Sequence, residues 1–173
     1  QYFVENQSGG ESPHDKLTYE ESAGVIIGHI TGGVEIARKH KLPEAIIDFI
    51  KTHQGSGKVG YFYTMFKNEN PDVEIDDSKY TYPGPAPHSR ETAVVMMADS
   101  VEAASRSLKE YTEESISKLV DQIIDHKMNE KQFDNADITL KEISVVKEVL
   151  KKKIKNIYHS RIAYPEEKKQ SEK

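Results

Sequence analysis

Proline and glycine divide this chain. They cluster at residues 9–13, 55–60 and 83–87, and between the clusters run long stretches in which apolar residues recur every three to four positions. Proline removes a backbone donor and clashes with the preceding turn, so helices are confined to the stretches between the clusters. The fold class this predicts is all-α. Thr18 with Glu21 forms a capping box that opens a helix over 18–40, with Val25, Ile26, His29, Ile30, Gly33, Val34 and Ala37 on its inward stripe. Leu42-Pro43 starts a second helix with Ala45, Ile46, Phe49 and Ile50 inside, and Gly55-Ser56-Gly57 ends it at His53. A short aromatic helix over 58–68 precedes an acidic loop, 70–77, expected to be solvated and mobile. Tyr80 to Pro87 holds Pro83, Pro85 and Pro87, which bias each preceding residue to extended backbone, so this segment reads as a stiff connector. Further helices follow from Ser89 to about Leu108, over 113–128, and from a second capping box at Thr139 and Glu142 to about His159.

The 173 residues carry a net charge of −5, no Cys and no Trp, and 36% are hydrophobic, which fits one domain with a single core. That domain spans 1–164, and 165–173 (PEEKKQSEK), without an apolar residue, reads as a disordered polar tail. Zero Cys removes thiolate nucleophiles, zinc ribbons and iron–sulfur clusters, so a metal would have to sit on His and carboxylates. With 24 Lys+Arg against 29 Asp+Glu there is no electrostatic footprint for a nucleic acid polymer. The longest apolar run, Ala93 to Ala98, is far short of the roughly 20 residues that span a bilayer. The chain opens on Gln1-Tyr2-Phe3-Val4, which reads as a piece of a longer protein.

Asp99 sits within AVVMMADSVEAA, a helix apolar nearly all round, so its carboxylate is expected to be buried and to need a cation, a metal or several donors. His29 lies on the apolar stripe of the first helix and His53 at the last turn of the second. Each taken alone reads as a core or capping histidine. Two such histidines and one carboxylate on three helices form a donor set suited to a divalent metal that takes N and O ligands. Arg106, about two turns beyond Asp99, could project a guanidinium toward a phosphate, or pair with Glu102 or Glu110. His40, His88, His126 and His159 read as surface residues, and His14-Asp15, after Pro13, as part of a loop.

The succession QYFVENQ, ESPHDKL, GHITGGVEIARKHKLPEAIIDFIKTHQG and YTYPGPAPHSRETAVVMMADSVEAASRSL resembles the cytoplasmic HD domain of the seven-transmembrane HD phosphodiesterases of the PgpH type, over about residues 1–160. The resemblance implies an HD-domain helical bundle, here apparently lacking its N-terminal helices, with an iron or manganese pair. It implies an enzyme that hydrolyses cyclic di-AMP to linear pApA through a two-metal-activated hydroxide. By the same resemblance His29, His53 and Asp99 are metal ligands. Gln54 takes the place of the second histidine of a His-His-Gly pair, where an amide oxygen would bind a hard metal more weakly than imidazole. The HD dyad is expected just upstream of Gln1. Arg106 and the Tyr82-Pro83-Gly84-Pro85 wall would hold the nucleotide. The location implied is the cytoplasmic side of a bacterial inner-membrane protein, with membrane contact only through spans outside this sequence. A cyclic-dinucleotide-binding or regulatory HD domain without turnover is the alternative, and a purely structural helical domain a third.

Overall fold

The computed structural model describes residues 13–159. The QYFVENQ segment and the 165–173 tail lie outside the described residues. Six α-helices carry the described chain: α1 Tyr19–Lys39, α2 Glu44–Thr52, α3 Gly60–Glu69, α4 Arg90–Ser105, α5 Glu113–Asn129 and α6 Leu140–His159.

Local chemistry sets most of the helix starts. Thr18 caps α1 through a complete capping box with Glu21, and Ser89 caps α4 through a reciprocal pair with Thr92. Thr112 accepts from the Ser115 N–H at the start of α5, and Thr139 exchanges bonds with Glu142 at the start of α6. Such caps satisfy donors that no earlier turn can pair. Thr18→Ala is therefore expected to lower stability by about 1 kcal/mol, read as an earlier urea midpoint with an unchanged slope.

Two apolar clusters result. Met96, Met97 and Val101 of α4 meet Ile116, Val120 and Ile124 of α5 and Ile143 and Ile154 of α6. Ala23 and Ile30 of α1 pack with Phe62 of α3 and with Val59, Tyr80 and Tyr82. Helix α2 packs on both α1 and α4, so it lies along the seam between the two clusters.

The structure departs from the sequence expectation in several places, Val25 of the inward stripe of α1, 37% exposed, among them. The α2 residue most deeply inside is Ile47, 1% exposed, whereas Ile46 is 43% exposed. Helix α2 is only nine residues long, and Ile47 takes its apolar contact one position later than the periodicity suggested. His14 and Asp15 lie in a single 3-10 turn, and His14 is buried with its ring 5.0 Å from Phe62. The acidic loop is tied down at its end, where Asp76 accepts from Ser78 and Asp77 accepts from the Lys58 ammonium at 2.5 Å. The connector is extended as expected. Thr81 bridges Lys58, Tyr82 N–H donates to the Gly57 carbonyl at 2.9 Å, and the Gly84–Pro85 peptide is cis.

Candidate metal centre

A close approach of α1 and α2 builds the first half of the site. A Cβ on Gly33 would lie 3.0 Å from Ile50 Cγ2, so glycine lets the helices touch there. His29 is one turn before Gly33 on the same face of α1, and His53 is one turn beyond Ile50. The two imidazoles consequently meet, with Nε2 to Nε2 at 3.0 Å and ring centroids 5.1 Å apart.

Their tautomers follow from the partners of the other nitrogens. His29 Nδ1 lies 2.5 Å from the Ile26 carbonyl and His53 Nδ1 lies 2.8 Å from the Ile50 carbonyl. A carbonyl oxygen only accepts, so both Nδ1 atoms carry hydrogen. In the neutral state both Nε2 atoms then carry a lone pair and lie 3.0 Å apart, a repulsion that a cation bonded to both would relieve. A proton could serve, but burial pushes the His29 imidazole below its ordinary value, and the neighbouring His53 adds to this against the Ile26 carbonyl and Asp99. A divalent metal fits the geometry. Two nitrogens about 2.1 Å from one ion and at right angles to each other lie about 3.0 Å apart.

The second half hangs on the turn after α2. Gly55 has φ +58, and a Cβ there would lie 2.3 Å from Gln132 Oε1 and 2.6 Å from Met96 Cε. The turn is thus pressed against α4. Asp99 is one turn beyond Met96 on that helix, and its Oδ2 accepts from Gln54 Nε2 at 2.8 Å. Asp99 is half-buried, not buried as its apolar surroundings in sequence suggested. Helix α4 hides Ala93, Met96, Met97 and Val101 but leaves Val95 37% exposed, and Asp99 lies at the border of the two faces.

Tyr82 completes the wall. It is buried, its ring stands edge-on to His29 at 6.0 Å between centroids, and burial, with Asp99 adding, pushes its phenol up to about 12. Tyr82 is therefore a neutral donor at any physiological pH. Pro83 and Pro85 are exposed, and Gly84 stands against the Gly55 carbonyl, which a Cβ on Gly84 would approach to 3.8 Å. Arg106 caps the end of α4, exposed, with its guanidinium forked on Glu102 at 2.9–3.0 Å. The structure brings His29 to His53, Gln54 to Asp99 and Tyr82 to His29. Among the described residues no three His, Asp or Glu side chains close on one point.

Gln132 has a part that sequence reasoning missed. It is 3% exposed, and its Oε1 accepts from the Ser56 backbone N–H at 3.1 Å, clamping the turn that carries Gln54. It follows α5 in a segment without motif or periodicity, so no signal in sequence marked it. His40, His88 and His126 are exposed, as expected, and the side chain of His159 lies outside the described residues. Among the described residues no helix is long and apolar enough to cross a membrane.

No family model matches the chain. It is 42% identical over 167 residues to the cyclic-di-AMP phosphodiesterase PgpH of Listeria monocytogenes, and 41% identical over 166 residues to that of Bacillus subtilis. An uncharacterised protein of Synechocystis is 35% identical over 167 residues. The chain spans only 23% of the length of the two PgpH proteins. It is also similar to the crystal structure of the L. monocytogenes PgpH HD domain, with TM-score 0.83 and 38% identity over 91% of this chain and 73% of that one. The structure of that HD domain in complex with cyclic-di-AMP matches over 91% of this chain. With 41% identity and a TM-score of 0.84 to that domain, of which it covers 72%, the chain belongs to the PgpH family of HD domains.

Proposed function

We propose that this chain is the HD domain of a metal-dependent phosphodiesterase that hydrolyses cyclic di-AMP to linear pApA. The observation that supports the reading most is the pair of Nε2 atoms 3.0 Å apart with both Nδ1 hydrogens committed to carbonyls. His29 and His53 present nitrogen to a divalent ion, and Asp99 adds an anionic oxygen from α4. Gln54 stands beside them. Iron or manganese suits this mixed imidazole and carboxylate set. A bound divalent pair supplies Lewis acidity at the phosphoryl oxygens and an activated water.

The remaining work belongs to the chain. The carbonyls of Ile26 and Ile50 fix both imidazole tautomers, which keeps each Nε2 available as a donor atom. Tyr82, held neutral, offers a phenolic O–H beside His29 and an aromatic edge for adenine. Pro83, Gly84 and Pro85 extend that wall. Arg106 faces the phosphates from the end of α4 once its contact with Glu102 opens. On this reading the domain lies on the cytoplasmic side of a bacterial inner-membrane protein, with cyclic di-AMP rather than a nucleic acid polymer as its partner.

Incubating the full chain with Mn²⁺ and cyclic di-AMP, with product separation by liquid chromatography, tests this. Accumulating pApA supports it. Tight binding of cyclic di-AMP with no turnover at saturating metal would instead make the domain a binding module. Arg106→Ala should raise KM several-fold and leave kcat nearly unchanged. Its exposed pair with Glu102 contributes about 0.3–0.5 kcal/mol, so loss of that pair by itself should hardly move the thermal midpoint.

A further inference from the structure

We propose that Gln54 is a positioning residue that acts on the metal through Asp99, its side-chain N–H fixing the Asp99 carboxylate for coordination. The inference rests on the metal reading given above and assigns Gln54 a part other than that of a ligand.

The hydrogen bond determines the orientation of the amide. A carboxylate oxygen only accepts, so the group 2.8 Å from Asp99 Oδ2 is the NH₂ of Gln54, and its Oε1 is turned away from Asp99. No other hydrogen bond or ion pair joins Asp99 to the described residues. Without Gln54 this half-buried carboxylate would be free to rotate about its two side-chain torsions, and ordering it would oppose metal binding.

The base of Gln54 is fixed independently of any metal. Gly55, in the left-handed region at φ +58, packs against Met96 and Gln132 so closely that a Cβ there would have to displace the ends of both side chains. Gln132 accepts from Ser56 N–H at 3.1 Å, and Gly57 accepts from Tyr82 N–H at 2.9 Å. The turn that carries Gln54 is therefore clamped from the α5 side and from the connector. Met96, fully buried, fixes the stretch of α4 that carries Asp99. Both ends of the Gln54–Asp99 bond thus sit on stiff backbone, which is what an orienting contact requires. Removing such outer partners typically weakens metal binding about 10- to 100-fold.

The test is a double-mutant cycle on Co²⁺ affinity, measured by calorimetry with the full chain as wild type, Gln54→Met, Asp99→Ala and the double variant. Circular dichroism confirms that each is folded. Gln54→Met is expected to weaken Co²⁺ binding about 10-fold or more in the wild-type background and less than about twofold once Asp99 is absent. An equal loss in both backgrounds would show Gln54 ligating in its own right and overturn the proposal, as would an unchanged affinity in Gln54→Met. If Asp99→Ala leaves no measurable uptake, the metal-free crystal structure of Gln54→Met decides. A displaced Asp99 carboxylate supports the proposal, and an unmoved one overturns it. Absence of Co²⁺ uptake by the wild-type chain is a separate result that would overturn the metal reading itself and this proposal with it.

Discussion

Asp99→Ala is expected to lower the proposed hydrolysis of cyclic di-AMP by roughly 100-fold or more, at the upper end of or beyond the loss caused by removing a contact that only supports a ligand. Bound metal should fall in parallel. In the proposed site the substitution removes the anionic oxygen that α4 would contribute, and two neutral imidazoles alone would not balance two divalent charges. The fold should survive, because α4 is held by Ala93, Met96, Met97 and Val101, all fully buried, and Asp99 lies at the edge of that face. Thermal stability should change little or rise, since a half-buried carboxylate with one amide partner adds little to folding. Activity assays paired with metal analysis of the purified variant check this. Undiminished turnover with the wild-type metal content would remove Asp99 from the site.

The second large effect is expected at Gly55. Gly55→Ala places a methyl group 2.3 Å from Gln132 Oε1 and 2.6 Å from Met96 Cε on a residue with φ +58. The left-handed conformation costs a side chain about 1 kcal/mol, and forcing a methyl into a filled site about 1–3 kcal/mol, so a loss of about 2–4 kcal/mol is expected. The damage should extend beyond stability. Relieving the clash shifts the ends of Gln132 and Met96 and with them the turn they clamp, which should loosen Gln54 from Asp99, so affinity at the proposed metal site should fall even under conditions where the variant is fully folded. Urea denaturation gives the first effect and calorimetric metal titration of the folded variant the second. A variant with an unchanged midpoint would mean that the turn has room the geometry denies.

Much of this was legible in the residues. The capping boxes at Thr18 and Thr139 and the helical run from Ser89 give helix starts and with them the phase of each apolar stripe, which places His29 on the inward side of α1 and His53 at the end of α2. Two features were not. The 3.0 Å approach of the imidazoles depends on Gly33 admitting Ile50, a contact between helices that periodicity within one helix cannot express. Asp99 looked buried because its helix is apolar nearly all round, which hides the face that turns outward, and Val95 shows that face to be partly exposed. The role of Gln132 was invisible for a different reason. It holds Ser56 from 76 positions away through hydrogen bonds to its backbone N–H and its hydroxyl, and such long-range polar contacts leave no spacing pattern. Arg106 illustrates two readings of one residue, since the helical spacing that aims it toward Asp99 also offers it Glu102, and Glu102 holds it at 2.9 Å in the structure.

The central claim is that a divalent cation joins His29 and His53. Anomalous diffraction from crystals of the full chain grown with Mn²⁺ tests it most directly, with data collected at a wavelength where manganese scatters anomalously. The account predicts a peak within bonding distance of both Nε2 atoms, about 2.0–2.3 Å, and on the side of the pair that faces Asp99. A site without anomalous density, with the two Nε2 atoms still 3.0 Å apart, would show that a shared proton joins the imidazoles, and the metal centre would have to be abandoned.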